Sequence, residues 1–411
     1  MLLASIAYWP PKAAVAGELD EPIFDSIREI KTPGHRRGRG PNLFASSDGR
    51  VFLSWQEHVG DDSFALRFSR WGNKSWLAPR TISTSAGWFI NWADFPSMTA
   101  FPNGPIVAHW LKSTGESLYA YDINIVTSDD GGKSWGDVIV PHRDGAPSQH
   151  GFVSMLPGKD GKLLILWLDG RNFDSLDAIA SGNKSAPNQM ALRFATLDKA
   201  GVIGDQRILD VRTCSCCQTA FAATKKGAIV VYRDRTETEI RDISVLRYQG
   251  GIWSKPRTVH KDNWRIDGCP VNGPAVAAQN MNVAVAWFTE ADDQPRVKVA
   301  FSDDGGETFN APIRVDGGEP SGRVDVILLP SGAAIVSWVE MTSGGEDFYI
   351  RKVLPSGRRG KAKTLGFAKL DGIEGFPRMV RNGAKVYFAW TQAVAEAMIV
   401  RTAVAKLRHA D

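Results

Sequence analysis

The 411-residue sequence predicts an all-β fold, a β-propeller of four-stranded antiparallel blades, with seven blades favoured over six. Three observations carry this. Apolar strands ending in an aromatic recur along the whole chain. Most are preceded by a tight-turn pair. The composition, with 40 Gly, 22 Pro and 14 Trp, suits many short strands joined by turns.

In order, the recurring strands are Val51-Phe52-Leu53-Ser54-Trp55, Ile106-Val107-Ala108-His109-Trp110, Leu163-Leu164-Ile165-Leu166-Trp167 and Ile229-Val230-Val231-Tyr232. Val283-Ala284-Val285-Ala286-Trp287, Ile335-Val336-Ser337-Trp338 and Val386-Tyr387-Phe388-Ala389-Trp390 continue the series. Copies lie roughly fifty to sixty-five residues apart, in the range of propeller blades. Before them stand pairs such as Asp48-Gly49, Asn103-Gly104, Asp160-Gly161 and Asn382-Gly383, which fit two-residue hairpins because Gly accepts positive φ. A polar loop, a third strand and a shorter fourth segment follow each copy. No such sheet can bury both faces alone, so the copies must pack in a ring. The last copy has only three strands. Residues 23–30 are therefore expected to supply the fourth, closing the ring and removing its free edge.

A net charge of +4 is mild, and the basic clusters at 35–39 and 358–361 have no interleaved aromatics, so nucleic acid is not an expected partner. No apolar run reaches the ~20 residues of a membrane span. Residues 1–20 read as a short or truncated signal peptide, or else a disordered leader. The remainder, 21–411, reads as one propeller domain.

Two turns between third and fourth strands share a pattern. They are Ser128-Asp129-Asp130-Gly131-Gly132-Lys133-Ser134-Trp135 and Ser302-Asp303-Asp304-Gly305-Gly306-Glu307-Thr308-Phe309. Both resemble the Asp box of the sialidase-like (BNR-repeat) propellers, with degenerate copies at 69–76 and 248–253. The resemblance covers most of 41–407. Physically the box is a folding device: its Asp accepts turn N–H groups and its aromatic wedges between sheets.

In such a fold the openings of the inner strands face the axis. Here they are residues 91–95, 148–151, 213–217, 268–272, 322–325 and 374–378, joined at the same mouth by the loops after the second strands. The resemblance implies an exo-glycosidase or binder of acidic glycans, in the periplasm or outside the cell. It also implies a Tyr nucleophile primed by a Glu, an Asp acid/base, and arginines clamping a carboxylate by two-pronged hydrogen bonds. Asp94 is then the candidate acid/base and Glu290 or Glu374 its candidate partner. Arg171, Arg233, Arg235, Arg323 and Arg378 are candidate substrate-binding residues. No cofactor is implied. The sequence departs from the family in lacking its early Phe/Tyr-Arg-Ile-Pro motif, and no Tyr stands at an inner opening.

Cys214, Cys216, Cys217 and Cys269 are all the cysteines of the chain. Read as an extended strand, 214–217 puts Cys214 and Cys216 on one side and Cys217 on the other. Cys269 opens the next blade, and His150 the preceding one. Thiolates with an imidazole suit Cu(I) or Zn, which makes a metal-binding propeller the alternative function. Disulfide stapling and a reactive thiol are the competing readings.

Overall fold

The computed structural model describes residues 18–19, 21–34, 37–115, 117–172, 189–343, 345–365, 372–395 and 397–408. Most of the expected leader, residues 1–17 and 20, lies outside them. Glu18–Leu19, also within that stretch, pair in parallel with Arg359–Gly360.

Seven sheets form the ring. They span residues 38–86, 97–128, 150–213, 220–258, 275–314 and 320–364, and the seventh joins 373–407 to Phe24–Ile30. We call them blades 1 to 7. Phe24–Ile30 pairs antiparallel with Ala397–Leu407, Ile27 opposite Ala405, so the N-terminal segment closes the ring as expected. Blade 2 has three full strands, its fourth position reduced to one bridge between Ile125 and Ile139. The sole helical element among the described residues is a short 3-10 turn at Ala291–Asp293.

Strand alternation explains why the blades stack. Side chains on a strand point alternately to the two faces. In blade 1, Val51, Leu53 and Trp55 pack with Tyr387, Ala389 and Val404 of blade 7. Phe52, one step out of phase, packs with Met98, Ala108 and Trp110 of blade 2. Blade 4 divides likewise: Ile229 and Val231 meet Val283, Val285 and Trp287 of blade 5, while Ala228, Val230 and Tyr232 meet Leu166, Leu192 and Phe194 of blade 3. The other boundaries have their own apolar clusters. Each blade thus buries both faces only because it has two neighbours.

The two Ser-x-Asp-x-Gly turns are built alike. The Asp304 carboxylate accepts Glu307 N–H at 2.8 Å, Thr308 N–H at 3.0 Å and the Ser302 and Thr308 hydroxyls at 2.7 and 2.6 Å. Asp130 repeats the pattern with Lys133, Ser134 and Ser128. Gly306 sits at φ +86 against Ile229 of the preceding blade, where a Cβ would collide with that side chain. These turns are inter-blade fasteners.

Candidate functional site

The inner strands of blades 1, 3, 6 and 7 carry register shifts at one end of the ring, at Arg39/Asn42, Gly151/Ser154, Gly322/Asp325 and Glu374/Arg378. Bulges re-aim side chains and backbone at barrel rims and sites. Here they turn backbone N–H groups toward polar side chains of the neighbouring blade. Phe152, at φ 53, donates to Asp94 Oδ1 at 2.8 Å. Arg323, also at φ 53, donates to Asn272 Oδ1 at 2.7 Å. Met379 N–H reaches Asp325 Oδ2 at 2.8 Å. Asp94 and Asn272 occupy corresponding places, each two residues before the proline that leads into its inner strand.

Below this rim lies the axial channel, about 440 Å³, lined by the inner strands of all seven blades and including Asp94, Asp325 and Arg378. Beside it opens a pocket of about 470 Å³. Phe89, Trp92, Tyr119 and Tyr121 are its aromatic lining, with Gln149, Cys216 and Cys269 also at its wall. Ala93, Asp94 and Phe152 line both spaces.

Asp94 is 2% exposed. Its Oδ2 accepts the Tyr121 hydroxyl at 2.8 Å, and Tyr121 stacks on Phe89 with centroids 3.9 Å apart. Burial pushes the Asp94 carboxyl up to about 7, despite opposing hydrogen bonds from Phe152 N–H and Tyr121. Burial, with the neighbouring carboxylate, also drives the Tyr121 phenol well above its ordinary value. Gly151 makes this arrangement possible: a Cβ there would collide with Asp94 Oδ2 and come within 2.8 Å of Tyr121 Cε2. A buried carboxyl poised near neutrality beside a pocket can hold and deliver a proton.

The candidate arginines separate. Arg378 lines the channel with its guanidinium 4.8 Å from the Phe95 ring centroid; its Nε is buried without a hydrogen-bond partner among the described residues. Burial lowers its pKa and the nearby Asp325 raises it. Arg323 makes a two-pronged pair with Glu346, both contacts 2.9 Å, and lies over Trp92. Trp92 is 40% exposed and stacks on Phe376. Arg171 is gripped by Asp169 and also meets Asp144 at 2.7 Å. Arg233, 2% exposed, donates to the backbone carbonyls of Asn272, Arg241 and Phe288, tying blade 4 to blade 5. Arg235 pairs with Glu239, which also holds Arg241, so this loop is chiefly an ion-pair lattice.

Glu290 is exposed beside the 3-10 turn. Glu374 sits in the blade 7 bulge, and its Oε2 is buried without a hydrogen-bond partner among the described residues. Neither carboxylate joins Asp94 in the pocket lining. The acids that recur after the second strands have a structural cause. Trp55, Trp167 and Trp338 donate indole N–H bonds to Glu57, Asp169 and Glu340, each two residues on and so on the same strand face.

The cysteine stretch is corrected by the structure. Thr213 ends the outer strand of blade 3, and residues 215–216 form a turn rather than an extended strand. Side chains in a turn do not alternate, so all three sulfurs converge: Cys214 Sγ lies 3.2 Å from Cys217 Sγ and 3.7 Å from Cys216 Sγ. Cys269 Sγ stands 3.8 Å from Ser215 Oγ at the edge of the same group. Arg241 Nη1 donates to Cys214 Sγ at 3.4 Å. Although burial opposes it, hydrogen bonds from Cys216 and Cys217 and the Arg241 charge hold the Cys214 thiol well below its usual range. All four cysteines are free.

His150 belongs to a different cluster. Its ring stacks on His142 at 3.8 Å, and Asp144, Asp122 and Asp169 surround it at 3.1, 3.6 and 3.8 Å. Among the described residues, the close metal-ligating groups are Cys214/Cys216/Cys217, Asp122/His142/His150 and Asp144/His150/Asp169, and none joins His150 to a thiol.

Sequence reasoning missed Tyr119 and Tyr121, and gave no role to Trp92 and Gln149 within the openings at 91–95 and 148–151. The signal was present as Tyr119-Ala120-Tyr121 in the loop between the second and third strands of blade 2, at the mouth end. Tyr121 starts the third strand rather than an inner one, so a search of inner openings passes over it.

No protein-family model matches the sequence, and no curated protein does. Solved structures do. One is a protein of unknown function from Dyadobacter fermentans, at 14% identity and TM-score 0.50, covering 94% of this chain and 99% of that one. Another is a mutant of the alpha-L-arabinofuranosidase of Fusarium graminearum in complex with an iminosugar inhibitor, at 14% identity and TM-score 0.50, covering 94% and 98%. The NanB sialidase of Streptococcus pneumoniae follows at 11% identity and TM-score 0.48, covering 87% and 83%. At such identities the likeness is one of fold. Seven blades closed by the N-terminal strand, fastened by paired Ser-x-Asp-x-Gly turns, give this chain the fold of a seven-bladed β-propeller.

Proposed function

We propose that the protein is a glycan-active enzyme whose acid/base is Asp94, hydrolysing a terminal acidic sugar held in the aromatic pocket beside the axis. One observation carries the reading. Asp94 and Asn272 do the same structural work, each accepting an N–H from the next blade's bulge, yet only the Asp94 position is ionisable. A neutral amide suffices for packing there. A carboxyl raised to about 7, hydrogen-bonded to Tyr121 and facing a pocket, suits proton transfer instead.

Tyr121 donates to the carboxyl and orients it, and Gln149 donates in turn toward the phenol oxygen. Trp92 and Tyr119 offer flat apolar faces for a sugar ring, the usual composition of a small-ligand site. An acidic substituent that reaches into the adjoining channel is favoured by Arg378, which lines that channel and has no hydrogen-bond partner among the described residues. Glu346 and the Asp144/Asp169 pair already engage Arg323 and Arg171, so a clamp of three free arginines does not support the reading. Export to the periplasm or the exterior belongs to the same reading. Among the described residues no helix is long and apolar enough to cross a membrane.

The test is release of aglycone from a panel of acidic and neutral 4-methylumbelliferyl glycosides. Asp94→Asn should lose about 10²–10⁴-fold in kcat, the usual worth of a positioned acid. Arg378→Ala should raise KM for acidic sugars and leave neutral ones unchanged. A wild type inert on the whole panel rejects the hydrolase.

A further inference from the structure

Cys214, Cys216 and Cys217 on the blade 3–4 connection, with Cys269 on the blade 4–5 connection, form a site separate in its chemistry from the Asp94 pair. We infer that these four sulfurs bind a single soft d¹⁰ cation, Zn(II) or Cu(I), at the wall of the pocket.

The first support is spacing. Four sulfurs about 2.3 Å from a tetrahedral ion lie about 3.8 Å from one another. Cys214 Sγ already stands 3.7 Å from Cys216 Sγ and 3.2 Å from Cys217 Sγ. Cys269 Sγ, 3.8 Å from Ser215 Oγ and outside the close group of three, has to rotate inward to complete the set.

The second support is charge. Four thiolates around Zn(II) carry a net charge of −2, around Cu(I) −3, and a buried anion of that size needs a counter-charge. Arg241 Nη1, 3.4 Å from Cys214 Sγ and almost wholly buried, provides one, and Glu239 fixes the same guanidinium through Nη2 at 2.8 Å. A thiol-only staple has no use for a buried guanidinium aimed at sulfur.

The third support is access. Cys214 and Cys217 are buried, Cys216 is half-buried and Cys269 is exposed. Cys216 and Cys269 line the pocket of about 470 Å³, so an ion can enter from solvent and meet the buried ligands last.

The competing cluster fits an added cation less well. Asp144 and Asp169 already neutralise Arg171, and His142 and His150 stack face to face. Soft thiolates also select Cu(I) or Zn over the hard ions that oxygen ligands prefer.

The experiment uses the full chain, purified under reducing, anaerobic conditions. Zn(II) or ascorbate-generated Cu(I) is added alone, excess is removed by gel filtration, and bound metal is measured by mass spectrometry. About one ion per chain is expected for at least one of the two. Which of them is retained against a chromophoric chelator identifies the metal. Co(II) should give sulfur-to-metal charge-transfer bands in the near ultraviolet.

Cys217→Ser should abolish stoichiometric binding but replaces a buried group and can weaken the fold. Cys269→Ser is exposed and should keep the wild-type circular dichroism. It should lower metal affinity at least about tenfold, the scale on which even outer-shell partners of a metal act, and remove about a quarter of the Co(II) charge-transfer intensity. Retention of neither ion by the reduced wild type overturns the inference. So does a Cys269→Ser protein with unchanged affinity and Co(II) spectrum.

Discussion

Asp94→Asn is the most informative perturbation because it changes one proton and almost nothing else. The blade 5 counterpart, Asn272, already accepts the same kind of bulge N–H. An amide at 94 can keep the bond from Phe152 through its oxygen and donate to Tyr121 Oη through its nitrogen, as the protonated acid would. In the wild type, burial raises the carboxyl to about 7 in the folded chain. An unfolded Asp titrates near ~3.9, so the shift is roughly three units, or roughly 4 kcal/mol.

The sign follows from which state holds the proton. Between about pH 4 and 7 the folded chain binds it and the unfolded chain does not, so folding stability falls as pH rises through that window. Below about 4 both states are protonated and the full contribution is present. Above about 7 it is gone. The Asn variant has no such slope, so its stability relative to wild type should grow by up to roughly 4 kcal/mol from pH 4 to pH 8.

Urea melts followed by tryptophan fluorescence at one-unit pH steps measure this. Subtracting one protein's curve from the other isolates Asp94 from groups with similar behaviour, such as Asp234, which burial and Asp210 raise to about 6. Parallel curves across the range would refute the raised carboxyl, and with it the proton-transfer role. The same ionisation sets the activity profile: the acid form, and hydrolysis with it, should be lost as pH rises above about 7.

Two further outcomes follow from the packing. Arg233→Met removes the bonds to Asn272, Arg241 and Phe288 carbonyls and should cost about 3–5 kcal/mol in a urea melt while leaving KM unchanged; a KM change without a stability loss would make Arg233 a ligand-binding residue. Gly306→Ala must fit a Cβ at φ +86 against Ile229 and should destabilise by about 1–3 kcal/mol, whereas Gly250→Ala, also at positive φ but with open space around it, should cost less. Equal losses would mean that backbone strain, not the inter-blade contact, sets the penalty.

Much of the ring was legible in the sequence because its determinants are local and repeated. A two-residue period and a terminal aromatic occur once per blade, with an Asx-Gly turn before four of the seven, and each states its structural role within about ten residues. The missing fourth strand of the last copy pointed to residues 23–30 by the same logic, since an unpaired edge must be covered. In space, Asp94, Cys216 and Cys269 line the pocket and Arg378 lines the channel beside it.

What the tertiary structure decided is which polar groups remain available. Arg233 and Arg378 look alike in sequence, but among the described residues one meets three carbonyls and the other none. Asp169 and Glu340 fall at the mouth-side loops in sequence, but an indole two residues back binds each, as Trp55 binds Glu57. The cysteines looked like an alternating strand, and a turn gathers their sulfurs instead. Tyr121 became visible only when a strand of blade 2 brought it against Asp94 from 27 residues away. Hydrogen bonding and burial are properties of neighbours in space, so a repeating chain can fix its own scaffold locally while the chemistry at its mouth waits for the ring to close.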